Sequence, residues 1–76
     1  MNLSERIRLI LDENHLKQKD LSGEIGVTES YISALLNGRN SNMSQALATL
    51  IEEKYGYSSA WILYGTEPKL KVSGKK

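Results

Sequence analysis

The chain has 76 residues, with ten lysines and arginines, nine acidic residues, one histidine and no cysteine. This length allows one domain with a small core, near the size at which apolar burial only just offsets chain entropy. The lack of cysteine excludes a disulfide framework and a thiolate metal site such as a zinc finger. The longest apolar run, residues 60–64, cannot span a membrane, and the charges in residues 1–11 exclude a signal peptide. We expect a cytoplasmic protein with no cofactor, no membrane contact and no small-molecule substrate.

The first predicted helix begins after Asn2. Asn2 and Glu5 have the spacing of a capping box, which satisfies two orphan amides at a helix start. An apolar stripe at helical spacing follows, formed by Leu3, Ile7, Ile10 and Leu11. The helix is expected to end near Asn14 or His15. Because the chain has no second histidine, His15 is interpreted as a C-cap residue and not as a metal ligand.

The next two predicted helices cover residues 18–25 and 29–36. Gly26 is placed to end the first one in a left-handed conformation, and Thr28 is placed to cap the second. The apolar positions fall on one face of each helix and comprise Leu21, Ile25, Val27, Ile32 and Leu35. A three-residue turn sets two helices at a steep angle, and the close approach leaves room only for a small side chain at Ser22. The segment predicts a helix-turn-helix, which makes DNA the first candidate partner.

Two further helices are predicted after a polar loop at residues 39–42. The fourth should begin near Asn42 or Ser44, and the fifth is capped by Ser58 and closed by Gly65. The fourth should end at Gly56 and turn four side chains inward, namely Leu47, Leu50, Ile51 and Tyr55. The sequence thus predicts an all-α, compact five-helix bundle over residues 1–66. Residues 67–76 are predicted to be a basic flexible tail or linker, with nothing folded after Pro68.

The fifth helix is too apolar to be buried on every side in so small a domain. Trp61 is expected in the core, while Ile62, Tyr64 or Tyr57 could supply a twofold interface. A homodimer, at least on DNA, is therefore the expected assembly.

The charges are unevenly distributed along the chain. Residues 69–76 hold four lysines and no acid, so residues 1–68 hold six basic and nine acidic residues, a net charge of −3. This opposes DNA binding, because affinity for phosphates comes mostly from lysine and arginine. Lys17, Lys19 and Arg39 nevertheless flank the predicted helix-turn-helix. We expect a dipolar domain with a weakly basic DNA face.

A family resemblance rests on these same residues. The segment LKQKDLSGEIGVTESYISALLNGR, preceded by RIRLILDENH and followed by AWILYGTEP, resembles the helix-turn-helix of phage repressors and Cro proteins, an XRE-like domain. The resemblance covers roughly residues 3–68 and implies a lambda-repressor-like fold that binds operator DNA. In that family, a glutamine at the position of Gln18 holds a phosphate and supports the recognition residues. The start and outer face of the following helix meet base edges, which here implies Thr28, Glu29, Ser30, Ser33 and Ala34.

The physical chemistry of these side chains limits what they can read. Amides at the start of the second helix are ready phosphate donors, to which Gln18 adds another. Glu29 could accept from cytosine N4 or could simply complement the helix dipole, and both interpretations stay open. Tyr31 is expected to pack or to contact phosphate. The predicted DNA-binding residues are Lys17, Gln18, Lys19, Thr28, Glu29, Ser30, Tyr31, Ser33, Ala34, Arg39 and Asn40.

The sequence departs from the family pattern at two places that bear on the fold. Leu11 and Leu36 stand where a basic and an acidic residue are common, and an apolar pair is often neutral or stabilising there. Lys17 replaces the usual serine or threonine cap of the second helix, at a cost of about 1 kcal/mol.

Two classes of function follow from this sequence. In the first, a dimer inserts two recognition helices into successive major grooves and represses phage or prophage transcription by blocking polymerase. The alternative is an antitoxin-like or adaptor module that uses the same fold to bind protein. An enzyme is not expected, since the adjacent Glu52 and Glu53 diverge by about 100° on a helix and one surface histidine makes a catalytic triad improbable. A complete Cro-like protein and a fragment of a longer repressor fit equally well, as do activation and repression.

Overall fold

Five helices account for most of residues 1–71, the part of the chain that the computed structural model describes. They are α1 (Leu3–Glu13), α2 (Gln18–Ile25), α3 (Glu29–Leu36), α4 (Gln45–Tyr55) and α5 (Ser59–Tyr64). α1 packs on α3 and α5, α2 packs on α3 and α4, and α4 packs on α5. The predicted all-α architecture of five helices is confirmed. Within residues 1–71, no helix is long and apolar enough to cross a bilayer.

The helix starts are fixed by the side chains that the sequence indicated. The amide of Glu5 donates to Asn2 Oδ1 at 2.9 Å and the amide of Asn2 donates to Glu5 Oε1 at 2.9 Å, which completes the predicted capping box. Side-chain oxygens also accept an amide of the first turn at the starts of three other helices, at Thr28, Ser44 and Ser58. Of the two starts offered for α4, Ser44 is therefore the correct one.

A residue with positive φ lies at the C-cap of each described helix or one residue beyond it. Gly26, the C-cap of α2, has φ 74° and ψ 34°, a conformation that costs glycine nothing. His15 follows α1 with φ 54°, although its Cβ makes this region unfavourable. The C-cap of α1 is Asn14, so His15 lies one residue beyond the cap.

The core is built from the predicted apolar faces with one correction on α4. Leu50 was expected inside, but it is 37% exposed, whereas Ala48 and Ile51 are fully buried. With about 100° between successive residues, Ala48, Ile51 and Tyr55 share one face and Leu50 turns away from it. Met43, in the loop before α4, fills a further core position that periodicity could not indicate.

α5 has one buried and one exposed side, as its composition predicted. Trp61 and Ile62 are buried, and Tyr64 is 74% exposed. The suggestion that Ile62 or Tyr57 supplies a twofold interface is wrong, because both are buried within one copy. Tyr57 stacks on Trp61 with ring centroids 5.8 Å apart. Of the three candidates, Tyr64 alone is accessible.

The chain beyond Pro68 does not run free from the domain, contrary to expectation. The amide of Ser58 donates to the carbonyl of Lys69 at 2.9 Å, and the amide of Lys71 donates to the carbonyl of Gly56 at 2.8 Å. Residues 69–71, here called the return strap, thus pair antiparallel with the α4–α5 turn through a Tyr57–Leu70 bridge. The prediction was based on Pro68 and on the lysine content, and it overlooked the acids that hold Lys69 and Lys71. The rest of the predicted tail, residues 72–76, lies outside the described residues.

Candidate nucleic-acid interface

The helix-turn-helix is closed by backbone hydrogen bonds and a small buried side chain. The amides of Gly26 and Val27 both donate to the carbonyl of Ser22, which reverses the chain at the end of α2. Ser22 is itself buried, and its hydroxyl donates to the carbonyl of Lys19 at 2.9 Å. The predicted requirement for a small residue here agrees with this geometry. α3 then begins at once, because Thr28 accepts the Tyr31 amide at 3.1 Å.

The start of α2 presents unsatisfied donors to solvent. Lys17 occupies the N-cap and provides no capping oxygen, while Asp20 Oδ2 accepts the Lys17 amide at 2.9 Å. In the described part of the chain, the backbone N–H groups of Gln18, Lys19 and Asp20 have no acceptor. The side chains of Lys17, Gln18 and Lys19 are all exposed beside them. These groups together form a site suited to an anion such as a phosphate.

α3 has a buried inner face and an outer face whose residues range from exposed to half-buried. Ile32, Leu35 and Leu36 are buried. Among the five predicted base-reading residues, the exposed ones are Thr28, Glu29 and Ser30. The other two, Ser33 and Ala34, are half-buried. The outer surface of α3 is therefore accessible, but most of its side chains are short. Ser and Ala offer few groups that distinguish one base pair from another.

Tyr31 and Asn37 lie at the margins of this outer face. Tyr31 is half-buried and packs against the core, which favours its interpretation as a packing residue. Asn37, the exposed C-cap of α3, is three residues past Ala34 and four past Ser33. This spacing puts Asn37 on the same helix face, a relationship that sequence reasoning missed by treating Asn37 only as a stop signal.

The loop after α3 is shaped by asparagine side chains. The amide of Arg39 donates to Asn37 Oδ1 at 2.9 Å, and the amide of Asn42 donates to Asn40 Oδ1 at 3.1 Å. The backbone of Asn40 also donates to the Ala34 carbonyl at 3.0 Å, so the loop folds back on α3. Arg39 is exposed, whereas Asn40 is half-buried with its side-chain oxygen already used. Arg39 is the better placed of the two for an outside contact.

Apart from Arg6 and Arg8 on α1, the cations of the described chain form two groups. Lys54, Lys69 and Lys71 are each within 4 Å of a carboxylate, on Glu24, Glu13 and Glu52 respectively. By contrast, no ion pair within residues 1–71 involves any of the three cations that flank the helix-turn-helix, Lys17, Lys19 and Arg39. Lysines outside this surface thus neutralise part of the acidic charge of the domain. The cations that flank the helix-turn-helix remain available to a partner.

Comparison with known proteins agrees with this geometry. The profile of a helix-turn-helix family matches residues 7–62, which include all of α2, α3 and α4. The chain is also 33% identical over 64 residues to the repressor protein CI of Enterobacteria phage phi80. That alignment covers 84% of this chain and 26% of the phage protein, so the chain spans about a quarter of its relative's length. The comparison with solved structures gives no match. The chain belongs to this helix-turn-helix family and resembles a phage repressor over most of its length.

Proposed function

We propose that this domain binds operator DNA in a phage or prophage and represses transcription, with α3 in the major groove. The observation that carries the proposal is the set of unpaired cations around α2 and α3, in a domain whose other lysines at positions 54, 69 and 71 are held by acids. Phosphate contacts of this kind supply much of the affinity of DNA-binding proteins. The protein acts by binding in the cytoplasm and not as an enzyme.

The start of α2 clamps the DNA backbone in this proposal. Three free amides and the exposed side chains of Lys17, Gln18 and Lys19 can surround one phosphate, where the helix dipole also favours negative charge. Arg39 supplies a second contact beyond the end of α3. Such contacts fix the position and orientation of α3 on the duplex without reading its sequence.

Base reading falls to a few short side chains on α3. Ser30 and Ser33 can donate or accept at any base edge, Ala34 can meet a thymine methyl group, and Glu29 can accept from cytosine N4. Asn37 extends the same face by one turn. With so few distinguishing groups, we infer that DNA shape and deformability provide part of the specificity.

A symmetric dimer would place two α3 helices about 34 Å apart, one turn of DNA. The exposed Tyr64 lies at the edge of an open groove of about 440 Å³, which is also lined by Met1, Leu63 and Arg6. An exposed aromatic next to a groove of this kind is typical of a contact surface. We propose this surface as the interface that two copies use on DNA.

The proposal is tested by a salt titration of binding to genomic fragments and to a selected palindromic site. Lys17→Gln and Lys19→Gln should each make the negative slope of log K against log salt less steep by about 1. The control Lys54→Gln removes a lysine that is paired with Glu24, and it should leave the slope unchanged. Gln18→Ala should weaken binding, and Ser33→Glu should abolish it. The proposal is wrong if nothing binds at low salt, or if wild type and all variants bind alike.

The alternative function is a protein-interaction module of the antitoxin or adaptor type. It is favoured by the net charge of −3 over residues 1–68 and by the short side chains on α3. Binding to a protein through the Tyr64 groove would be lost in Tyr64→Ser and would survive Lys17→Gln. Under the DNA proposal, Lys17→Gln reduces both the affinity for DNA and its dependence on salt, whereas Tyr64→Ser disrupts the contact between copies. The response to Lys17→Gln therefore separates the two functions.

A further inference from the structure

The return strap, residues 69–71, is held almost entirely by polar contacts at the edge of the domain. Two backbone hydrogen bonds join it to Gly56 and Ser58, on either side of the Tyr57–Leu70 bridge. Leu70 adds no core packing, because its side chain is 57% exposed. The strap is therefore attached to the domain without being part of its core.

Two carboxylates fasten the strap, and each of them bonds in two directions. Glu13 Oε2 lies 2.7 Å from Lys69 Nζ, while its Oε1 accepts from the Tyr57 hydroxyl at 2.7 Å. The same ammonium group lies 6.0 Å from the centre of the Trp61 ring. Glu13 ends α1, so it joins the strap to both α1 and the residue that the strap pairs with.

Glu52 repeats this arrangement on α4. Its Oε2 is 3.7 Å from Lys71 Nζ, and its Oε1 accepts the Ser59 amide at 2.8 Å, at the start of α5. Both acids therefore connect a strap lysine with the α4–α5 turn. Both ion pairs are also partly exposed to solvent, so salt screens them.

The strap also fixes the course of the chain between α5 and residue 71. α5 ends at Tyr64, next to the groove lined by Met1 and Arg6. Because residues 69–71 pair with residues 56–58, the chain doubles back along α5 and emerges beside the C-terminal ends of α1 and α4. In the closed strap, residues 69–71 thus lie away from Tyr64.

We propose that residues 69–71 are a salt-releasable strap, which opens as a local unit and, when closed, holds these residues away from the Tyr64 groove. The physical reason is the balance of its parts. Screened ion pairs and two backbone hydrogen bonds oppose the entropy of ordering the segment after α5, with no buried side chain to assist them. This inference concerns contacts within one copy and does not depend on DNA binding.

Hydrogen exchange of the full chain measures strap opening directly. The reporters are the Ser58 and Lys71 amides, which donate across the strap, with the Ile32 amide in α3 as a core reference. Salt is raised from about 0.1 M to about 1 M, which shortens the Debye length from about 10 Å to about 3 Å. We expect the two strap amides to exchange about three- to fivefold faster at high salt, with no change at Ile32.

Matched variants assign the effect to the two ion pairs. Glu13→Gln, Glu52→Gln and Lys69→Met should each raise strap exchange at low salt and reduce its salt dependence. Lys69→Met leaves the Glu13–Tyr57 hydrogen bond in place, which keeps the test valid if Glu13→Gln loosens α1. Glu53→Gln is the control, because Glu53 is exposed on α4 and forms no ion pair within the described chain.

A spin label tests where the chain lies. The chain has no cysteine, so Leu70→Cys gives a single attachment point on an exposed side chain. The label should broaden amide signals near Asn14 and Tyr57 at low salt, and this broadening should become weaker at high salt. The proposal is overturned if the Ser58 and Lys71 amides exchange as slowly as the core at every salt concentration. It is equally overturned if they exchange like a free peptide at low salt, or if the label broadens signals near Tyr64 instead.

Discussion

The guanidinium group of Arg6 joins the first helix to the last one, with Nε donating to the carbonyl oxygen of Ile62 at 2.9 Å. Nη2 donates to the Leu63 carbonyl at 3.3 Å, and Nη1 donates to the Met1 carbonyl. Carbonyls at a helix C-terminus lack partners within the helix and carry partial negative charge, so a cation is well matched to them. Burial lowers the pKa of Arg6, but arginine remains protonated in proteins and keeps its charge.

Arg6→Met should therefore destabilise the domain although methionine fits an apolar site. The substitution leaves the Ile62 and Leu63 carbonyls without their charged donor, and Arg6 is only 5% exposed, so water cannot fully replace it. We expect a loss of about 2–4 kcal/mol in the free energy of unfolding. Urea denaturation followed by Trp61 fluorescence measures it.

Arg8→Met is the control for this prediction, because Arg8 is exposed on the same helix. It should change stability by no more than about 0.5 kcal/mol. Equal losses in the two variants would show that charge on α1, and not the bonds to α5, is responsible.

The carboxylate of Glu13 should make strap closure sensitive to acid. Its hydrogen bonds to Lys69 and then to Tyr57 hold the pKa of Glu13 below the ordinary value of 4.5. A depressed pKa stabilises the closed strap above pH 4.5, and this contribution is lost as the pH falls through the lower folded pKa. The protection of the Ser58 amide, which is its exchange rate relative to that of an unstructured peptide at the same pH, should thus fall in acid. In Glu13→Gln this protection should be lower already at neutral pH and respond little to acid.

Ionisation of the Tyr57 hydroxyl should lower the stability of the fold at high pH. Burial and then the hydrogen bond to Glu13 raise the pKa of Tyr57 to about 12 from its ordinary value of 10.0. A raised pKa means that this contribution is complete below pH 10 and is lost as the pH rises towards 12. Absorbance titration of tyrosinate should show a step near pH 12 that Tyr57→Phe removes. A titration that is unchanged in Tyr57→Phe would contradict the assignment.

The sequence predicted those parts of the fold that depend on local chemistry. Capping by Asn2 and Thr28, the left-handed turn at Gly26 and the apolar faces of α1 to α3 all follow from neighbours within one helical turn. Leu50 was wrongly predicted to point inward, because α4 has two adjacent apolar faces and its packing against α2 and α5 decides which one is buried. Periodicity cannot choose between faces of similar hydrophobicity.

Two features that sequence reasoning missed, the bonds of Arg6 and the return strap, are long-range. Arg6 lies on the apolar stripe of α1, three residues after Leu3 and four residues before Ile10. This helical spacing could have indicated that Arg6 is buried. Its acceptors, however, are 56 and 57 residues away in the chain. The strap likewise needs Glu13 and Glu52 to meet Lys69 and Lys71, a pairing that no local pattern contains. Long-range polar contacts of this kind become visible only once the helices are packed.

Two left-handed positions should respond differently to substitution. At Gly26 a Cβ would meet no atom within 4 Å, so Gly26→Ala tests conformation alone and should cost about 1 kcal/mol. His15→Gly removes the strain at φ 54° but adds unfolded-state entropy of similar size, so stability should change by less than about 0.5 kcal/mol. Thermal unfolding of both variants compares them, and a large loss in His15→Gly would reveal side-chain contacts of His15 that stabilise the fold.

Glu29→Gln separates the two roles that remain for Glu29 at the exposed start of α3. If Glu29 only complements the helix dipole, the neutral glutamine costs about 0.3–1 kcal/mol of stability and relieves repulsion from phosphate, so all DNA sequences bind more tightly. If Glu29 accepts from cytosine N4, glutamine relaxes the preference at one base pair, by about 1–3 kcal/mol of discrimination. Site selection from a random DNA library, run with both proteins at the same salt concentration, measures the difference.

Glu53→Gln has the same charge change on α4 and controls for net charge, because it should raise affinity only slightly and leave the selected site unchanged. A selected site that is identical for wild type and Glu29→Gln excludes the base contact, and unchanged affinity for every sequence would place Glu29 away from the DNA.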